Sequence, residues 1–542
     1  MTTATTADAG SPAVERDNKM PSSIWFIVSN EFAERFCFYG INSILVSYMV
    51  SFMKFPDGKA LAWGALFKTA AYFFPLLGAI VSDVFWGKFR TIFVFSIFYA
   101  TGCVCLALFG QSEFALVASL GLVALGTGGI KPCVSTNVGD QFSAKNAHLI
   151  ERAFSLFYMS INAGSSISIW LCPTLLNDPN WGPRWAFGMP AIMMVAATMV
   201  FIAGRARYVK VPPAGRAWLK EVFSADGIKL ILKLGVLYLF VAIFWALWDQ
   251  SNGGALVLQA QSPLLDKHLF GSFAIEPQQV QVVNGLFILL LAPVFSAGIY
   301  PFVGKFAKVT PLRKIGAGLV VMGASFLVVG WLEDQIMAGH TVSVWWQIFA
   351  YLILTAAELL VSVTALEFSY KQAPLRVKSF IMALFLLSTS MGNLVVAAVN
   401  LFSIKPIAVT KVETGAQTWV AIADTSKFVN GQKIDFNGES GVKTTVKNKK
   451  GVEESVDLAG TFLVAEVQPG RVRLMNIERT DIVSTGDFNG KDVISTYSLV
   501  GSAYYYFFIG IIWLAAIVFA VYAKFYKEQD FVRTEEPPAA AA

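Results

Sequence analysis

Apolar runs of about twenty residues recur along the whole chain, separated by short polar stretches. An α-helix needs about 20 residues to cross the hydrocarbon core of a bilayer, so each run reads as a membrane span. Twelve are expected, at roughly 24–52, 61–85, 91–110, 114–138, 150–173, 185–204, 228–253, 280–301, 312–332, 344–370, 378–402 and 498–523. The polar link at 205–227 parts an N-terminal six-helix bundle (24–204) from a C-terminal one, made of five spans (228–403) and a last helix (498–526). Residues 404–497 break the pattern. There apolar and polar residues alternate (TWVAIAD, GTFLVAEV, RVRLMNI), punctuated by Asn430-Gly431, Asn437-Gly438 and Asn489-Gly490. Alternation is the period of a half-buried strand, and Asn-Gly favours tight hairpins. A small β-rich domain is therefore expected between spans 11 and 12.

Charge sets the expected orientation. The loops after even-numbered spans are basic: Lys88 and Arg90; Arg205, Arg207, Lys210, Arg216 and Lys220; Lys305, Lys308, Arg313 and Lys314. The positive-inside rule assigns these loops, and the tails 1–23 and 527–542, to the cytoplasm. The β-rich insertion then faces the extracytoplasmic side. The two halves echo each other weakly, with Gly87-Lys88-Phe89 after span 2 and Gly304-Lys305-Phe306 after span 8. Six spans plus six in a parallel repeat resembles the major facilitator superfamily, an all-α membrane fold of twelve helices.

Composition adds exclusions. The 542 residues are 55% hydrophobic and 14% charged, where a soluble domain carries about 25% charged residues. The net charge of +6 sits in the loops and gives no reason to expect nucleic acid. Cys37, Cys103, Cys105, Cys133 and Cys172 all fall in or beside apolar runs without CxxC spacing, so neither disulfides nor a metal site is expected. His148, His268 and His340 lie in loops. The first twenty residues lack the pattern of a cleaved signal, which leaves the first span as an uncleaved targeting signal.

Charges inside the spans carry the chemistry. A charged side chain at the membrane centre costs about 2.5–3.5 kcal/mol and persists where it faces a partner or a watery cavity. In NEFAERFCFYG, Glu31, Glu34 and Arg35 share one helix face at i, i+3 and i+4. A self-contained Glu31–Arg35 pair is one reading. One arginine cannot neutralise two carboxylates, however, and the spare acid has the make-up of a proton-binding site. Lys131 follows the small-residue run GTGGIKP in span 4, where Gly126, Gly128 and Gly129 allow close packing, and Glu358 lies deep in span 10. The pair could be a static strut. It could equally line a cavity for a zwitterion, with the carboxylate near Arg35 and Lys131 and the ammonium near Glu358. Asp249 ends FWALWDQ in span 7, as a second protonation candidate or an interfacial acid. In GAIVSDVFWGKFR, Asp83 and Lys88 flank a cytoplasmic turn, and Gly78 and Ser82 have small-xxx-small spacing; this is read as a structural and gating element.

Together these residues resemble the proton-dependent oligopeptide transporter family. EFAERFCFYG is similar to its helix 1 motif ExxERFxYYG. SDVFWGKFRT, GTGGIKPCVSTNVGDQF, FSLFYMSINAGS, FWALWDQ, NGLFILLLAP and TAAELLVSVTALEFSYKQAP resemble its later signatures, in order. The resemblance implies symport of di- and tripeptides with protons, in a bacterial inner membrane, with the proton as coupling ion and no other cofactor. It implies proton coupling by Glu31, Glu34 and Asp249. It also implies substrate contacts from Arg35, Tyr39, Tyr72, Lys131, Asn162, Trp245, Asn284, Glu358 and Phe385. A lone tyrosine or asparagine in a helix bundle is as often helix glue as a ligand contact.

The chain departs from the motif in places. Phe38 stands for the first tyrosine of YYG, and Asn42 for an arginine that in the family pairs with the helix 7 acid. Lys68, one turn before Tyr72 on the same face, is expected either to pair with Asp249 instead or to snorkel to the interface. The link after span 6 has no room for the two extra helices of many bacterial members. A carrier of another anionic or peptide-like solute, and a receptor or docking platform acting through the insertion, stay open as alternatives. No nucleophile–base or metal constellation appears in the spans, so no enzyme activity is expected.

Overall fold

In hydrocarbon a backbone must satisfy its own polar groups, and a helix does so within one segment. The computed structural model describes residues 18–526 except 144, 214, 216–219, 221, 373–377, 438–439, 448–452 and 491–492. Residues 1–17 and 527–542 of the two tails, Arg216 and Gly438 lie outside the described residues. Twelve long helices follow the expected spans in order, with ends shifted by a few residues. They are α1 (Ser22–Ser51), α2 (Asp57–Ile80), α3 (Lys88–Phe109), α4 (Glu113–Asp140), α5 (Ile150–Asn177), α6 (Gly182–Ala203), α7 (Ala225–Ser251), α8 (Val282–Val294), α9 (Pro311–Ala338), α10 (Val344–Glu358), α11 (Lys378–Ser403) and α12 (Ser502–Phe525). Among the described residues, 10 helices are long and apolar enough to cross a membrane. The other two, α1 and α5, are 30 and 28 residues long, more polar, and packed against each other and α6 inside the first bundle.

Three helices widen into π-helical turns: α2 at Val81–Trp86, α8 at Phe295–Ile299 and α10 at Leu359–Val363. Beyond these turns α8 continues as Tyr300–Gly304 and α10 as Thr364–Gln372.

Each bundle has its own apolar core. α2 belongs to both: Phe67 and Ala71 pack into the first core, Ala65 and Val84 into the second, along α11. The small residues of α4 work as the spacing suggested. A Cβ on Gly128 would sit 2.2 Å from the Cβ of Phe74, and one on Gly78 would sit 2.6 Å from the carbonyl oxygen of Gly128. α2 and α4 thus touch backbone to backbone.

The insertion is a β domain with its own apolar core. Its strands are β1 (Ile404–Ala408), β2 (Lys411–Glu413), β3 (Thr418–Ala421), β4 (Lys433–Asn437), β5 (Lys443–Lys447), β6 (Glu453–Asp457), β7 (Ala459–Gln468), β8 (Arg471–Met475), β9 (Ser484–Thr485) and β10 (Val493–Tyr497). A seven-stranded sheet has the order β1-β10-β4-β7-β8-β3-β2, and a three-stranded one β6-β5-β9. The alternating runs did become strands, buried on every second residue in β3 and β8. Asn430-Gly431 and Asn489-Gly490 did not become two-residue hairpins. Gly431 and Gly490 take the expected positive φ, but β3 and β4, and β9 and β10, are not neighbours. The tight hairpin is β7–β8, closed by Pro469-Gly470 between the paired Gln468 and Arg471. Asn-Gly reports a backbone that can turn left-handed, whereas strand pairing depends on distant chain.

The insertion is seated on both bundles. On the first, Lys433 pairs with Asp57 at 2.8 Å, and the amide of Gly58 donates to the Tyr497 hydroxyl at 3.1 Å. On the second, Arg479 donates to the carbonyls of Ile336 and Met337 at the end of α9. Asp435 lies in this seam. It accepts from Thr461 and Tyr497, with Lys433 nearby, yet burial and the neighbouring Asp57 push its carboxyl up to about 6. A proton held more tightly in the folded seam than in free chain favours the folded seam. That contribution is complete below about pH 4 and is lost as pH rises through about 6. The melting temperature of the purified protein is therefore expected to drop between about pH 5 and about pH 7.5, by less in Asp435→Asn than in the unaltered chain. An unchanged pH dependence in the variant would exclude the seam as its source.

Candidate functional site

The trio on α1 is buried at mid-helix. Arg35 Nε lies 2.7 Å from both Glu31 Oε1 and Glu34 Oε2. Glu34 is completely enclosed, and its other oxygen accepts from Thr127 on α4 at 2.6 Å. Both carboxylates engage the arginine through Nε.

Lys131 reaches the same level from α4. Its ammonium sits between the rings of Phe38 and Tyr72, 4.1 and 4.0 Å from their centroids, and is buried without a hydrogen-bond acceptor. Each ring face returns about 0.5–2 kcal/mol. Phe38, which departs from the motif, is thus one wall of an aromatic cage. Tyr39 packs edge-on against Phe38 and is close enough to interact electrostatically with Arg35 in the first bundle and Glu358 in the second.

In the second bundle, Glu358 Oε2 accepts from Trp248 Nε1 at 2.8 Å and Asn284 Nδ2 at 2.9 Å. Asn284 also donates to Thr355. Two helices, α7 and α8, hold this carboxylate of α10 through neutral donors, and no cation is bonded to it among the described residues. The strut reading fails: Lys131 and Glu358 are not paired. Trp245 packs edge-on against Trp248 with its indole N–H buried and unpartnered. Phe385 lies in the second core against Tyr238, and Asn162 bonds the Tyr158 carbonyl of its own helix.

The insertion-side end of the bundles is sealed. Lys68 and Asp249, 4% and 1% exposed, approach to 3.7 Å. The lysine's shorter bonds go to backbone carbonyls at the end of α7, Asp249 O at 2.6 Å and Asn252 O at 3.2 Å. Cations suit helix C-termini, where unpaired carbonyls gather. Asn42 donates to the carbonyl and side chain of Asn252 at 3.0 Å, and Asn393 on α11 donates to Asp249. Gly253, at φ +71°, lies so close to α1 that a Cβ would meet Asn42 O at 2.2 Å. Further bonds between the bundles join Asn177 to Glu276 and Gln279 to Trp170 at the same end. At the opposite end Lys88 pairs with Asp140 at 2.6 Å, within the first bundle, and the Asp83 carbonyl accepts from Gly215 of the link.

Sequence reading missed Thr127, Trp248, Asn252, Asn393 and Asp140. Trp248 carried a signal, one turn from Trp245 in a motif already singled out. The rest are ordinary polar residues whose partners lie on other helices.

The POT family profile matches residues 89–225 and 216–420. The chain is 38% identical over 352 residues to solute carrier family 15 member 2 of Danio rerio, covering 56% of this chain and 48% of that protein. It is 34% identical over 380 residues to peptide transporter family 1 of Caenorhabditis elegans, covering 58% and 45%. The matched segments thus span about half the length of these curated relatives. Among solved structures, the POT family transporter PepTSo is similar at a TM-score of 0.70 and 28% identity, over 93% of this chain and 98% of that one. An auto-inhibited POT family peptide transporter is similar at 0.70 and 27%, over 95% and 99%. The motifs on α1, α2, α4, α7 and α10 and the twelve-helix architecture agree with this: the chain belongs to the POT family of membrane transporters.

Proposed function

We propose that the protein imports di- and tripeptides together with protons by alternating access. The observation that supports this reading is a chain of neighbours: Lys131 lies within electrostatic range of Arg35, Arg35 of Tyr39, and Tyr39 of Glu358 in the second bundle. A peptide carboxylate suits the arginine and the caged ammonium, whose donors lack an acceptor. A peptide ammonium suits Glu358, held ready by neutral donors. Tyr72, Asn162, Asn284 and Trp245 border this site in the proposal, with Phe385 behind them as packing.

Protons enter through Glu31 or Glu34. Protonating either one frees Arg35 from half of its carboxylate pairing, which couples proton uptake to peptide binding. Asp249 couples the same step to the seal, since it faces Lys68 across the two bundles. Bonds between the bundles at the insertion end, together with the absence of any fully buried residue along α8 over Val282–Val294, support an inward-facing state. The π-helical turns of α8 and α10 are natural bending points for opening and closing the inner end. Basic loops support cytoplasmic termini and an extracytoplasmic insertion; a bacterial inner-membrane setting is part of the proposal. A potential of about 100 mV supplies about 2.3 kcal/mol per charge moved, roughly a 50-fold concentration ratio.

Uptake of a labelled dipeptide into proteoliposomes, with and without an inward proton gradient, tests the reading directly. Glu31→Gln is expected to abolish gradient-driven uptake and leave peptide counterflow measurable; intact driven uptake would refute the coupling assignment. Arg35→Ala should weaken binding of free-carboxylate peptides by about 10- to 100-fold, the worth of a charge-assisted hydrogen bond, and amidated peptides far less. For the seal, exchanging Lys68 and Asp249 would strip the α7 carbonyls of their donor, so the discriminating variants are Lys68→Arg and Lys68→Met. Removing one partner of a buried pair costs about 3–5 kcal/mol, at least a hundredfold shift in an equilibrium. Spin labels on the loops after α1 and α7 should report a widened outer end in Lys68→Met and not in Lys68→Arg. Equal distances in both variants would remove Lys68 from the gate.

A further inference from the structure

Between the insertion and the helix ends beneath it lies a cavity of about 940 Å³. Small-molecule sites measure about 300–1,000 Å³. Leu61 and Ala255 line this cavity and also the narrow gap around Lys68 and Asp249. Asp57, Leu61 and Lys68 run down one face of α2, about 16 Å from first to last at 1.5 Å per residue. The cavity therefore stands over the closed seal, roofed by the β domain.

Its lining carries charge of both signs, and Glu276, Glu333, Lys267 and Lys54 make no direct ion pair among the described residues, although Lys267 stands within electrostatic range of Glu276 and Asp266, and Glu333 of Lys433. Glu276 accepts from Asn177, and Glu333 from Gln259; both donors are neutral amides. Lys267 donates to the carbonyls of Ser262 and Leu265. Lys54 lines the cavity and makes no ion pair among the described residues. It also holds a left-handed backbone at φ 59°, a conformation that costs a non-glycine residue about 1 kcal/mol or more. The other such residue among those described, Arg479 at φ 61°, also lines the cavity, and there the conformation serves its bonds to the end of α9. No comparable bond accounts for Lys54. A lining whose carboxylates and ammonium groups are bonded only to neutral amides and carbonyls, and not locked in direct ion pairs, matches a solute with one charge of each sign.

We propose that this cavity is a second, outer binding site that holds a small zwitterionic peptide above the seal before the bundles part. The proposal rests on the peptide-carrier reading, and its test separates the two. Gln261 and Val500 line the cavity from different segments, while the native cysteines lie within the helices. In Gln261→Cys and in Val500→Cys, dialanine at about ten times its dissociation constant should slow reaction with a membrane-impermeant methanethiosulfonate about tenfold. The slowing should persist with Arg35→Ala added, which disables the central site, and should be absent with N-acetyl-dialanine amide, which lacks both charges. No slowing at either thiol overturns the outer site, as does slowing that Arg35→Ala abolishes. Equal slowing by the uncharged peptide overturns its zwitterion preference. Protection without dialanine uptake keeps the outer site and refutes the carrier reading.

Discussion

A charge inside a membrane must find its partner inside the protein: Glu31, Glu34 and Arg35 pair within α1, and the others reach across to other helices. Glu34 takes a hydroxyl from α4, Lys131 takes two ring faces from α1 and α2, and Glu358 takes donors from α7 and α8. Lys68 takes the open end of α7. Apolar surface discriminates poorly between helix rotations in lipid, because lipid tails are as apolar as leucine. The buried charges discriminate strongly. Turning α1 or α4 by one residue would strand several of them at once, and each stranded charge costs several kcal/mol.

In the proposed cycle, the same constraint divides the molecule into parts that would move and parts that would not. Within each bundle, contacts are apolar and close, down to backbone contact at Gly78 and Gly128. Between the bundles, the seal is made of amides, helix-end carbonyls and one ion pair. Polar contacts of this sort can be exchanged for water or for a ligand at little net loss, whereas an interlocked apolar core cannot. Two apolar bundle cores meeting at a polar seam, with α2 shared between them, are compatible with the proposed alternating access. The insertion adds a constraint of its own. It emerges from the second bundle yet rests on the first through Asp57 and Gly58, so in the proposed cycle it would have to release α2 when the outer ends part.

The twelve spans, their order, the β insertion and the family were legible in the chain, and so were the ionisable residues buried within the spans. The reason is local. A run of about twenty apolar residues declares a span wherever it lands, and a charge within such a run stands out by its price in lipid. The pairing of Lys68 with the α7 end was also within reach, because helix periodicity put the lysine on the right face at the right depth.

Which partner each charge takes was decided by the tertiary structure. Lys131 and Glu358 occupy equivalent helices and suggested a strut, but the lysine sits in an aromatic cage and the glutamate under an indole and an amide. Asp83 and Lys88 adjoin in sequence, yet Lys88 pairs with Asp140. The turns at Asn430-Gly431 and Asn489-Gly490 formed, but not between neighbouring strands. Sequence determines what a residue can donate, accept or bury and which face of its own element it occupies. It does not determine which other element will stand opposite, because that depends on rotations and registers fixed by contacts between residues far apart in the chain.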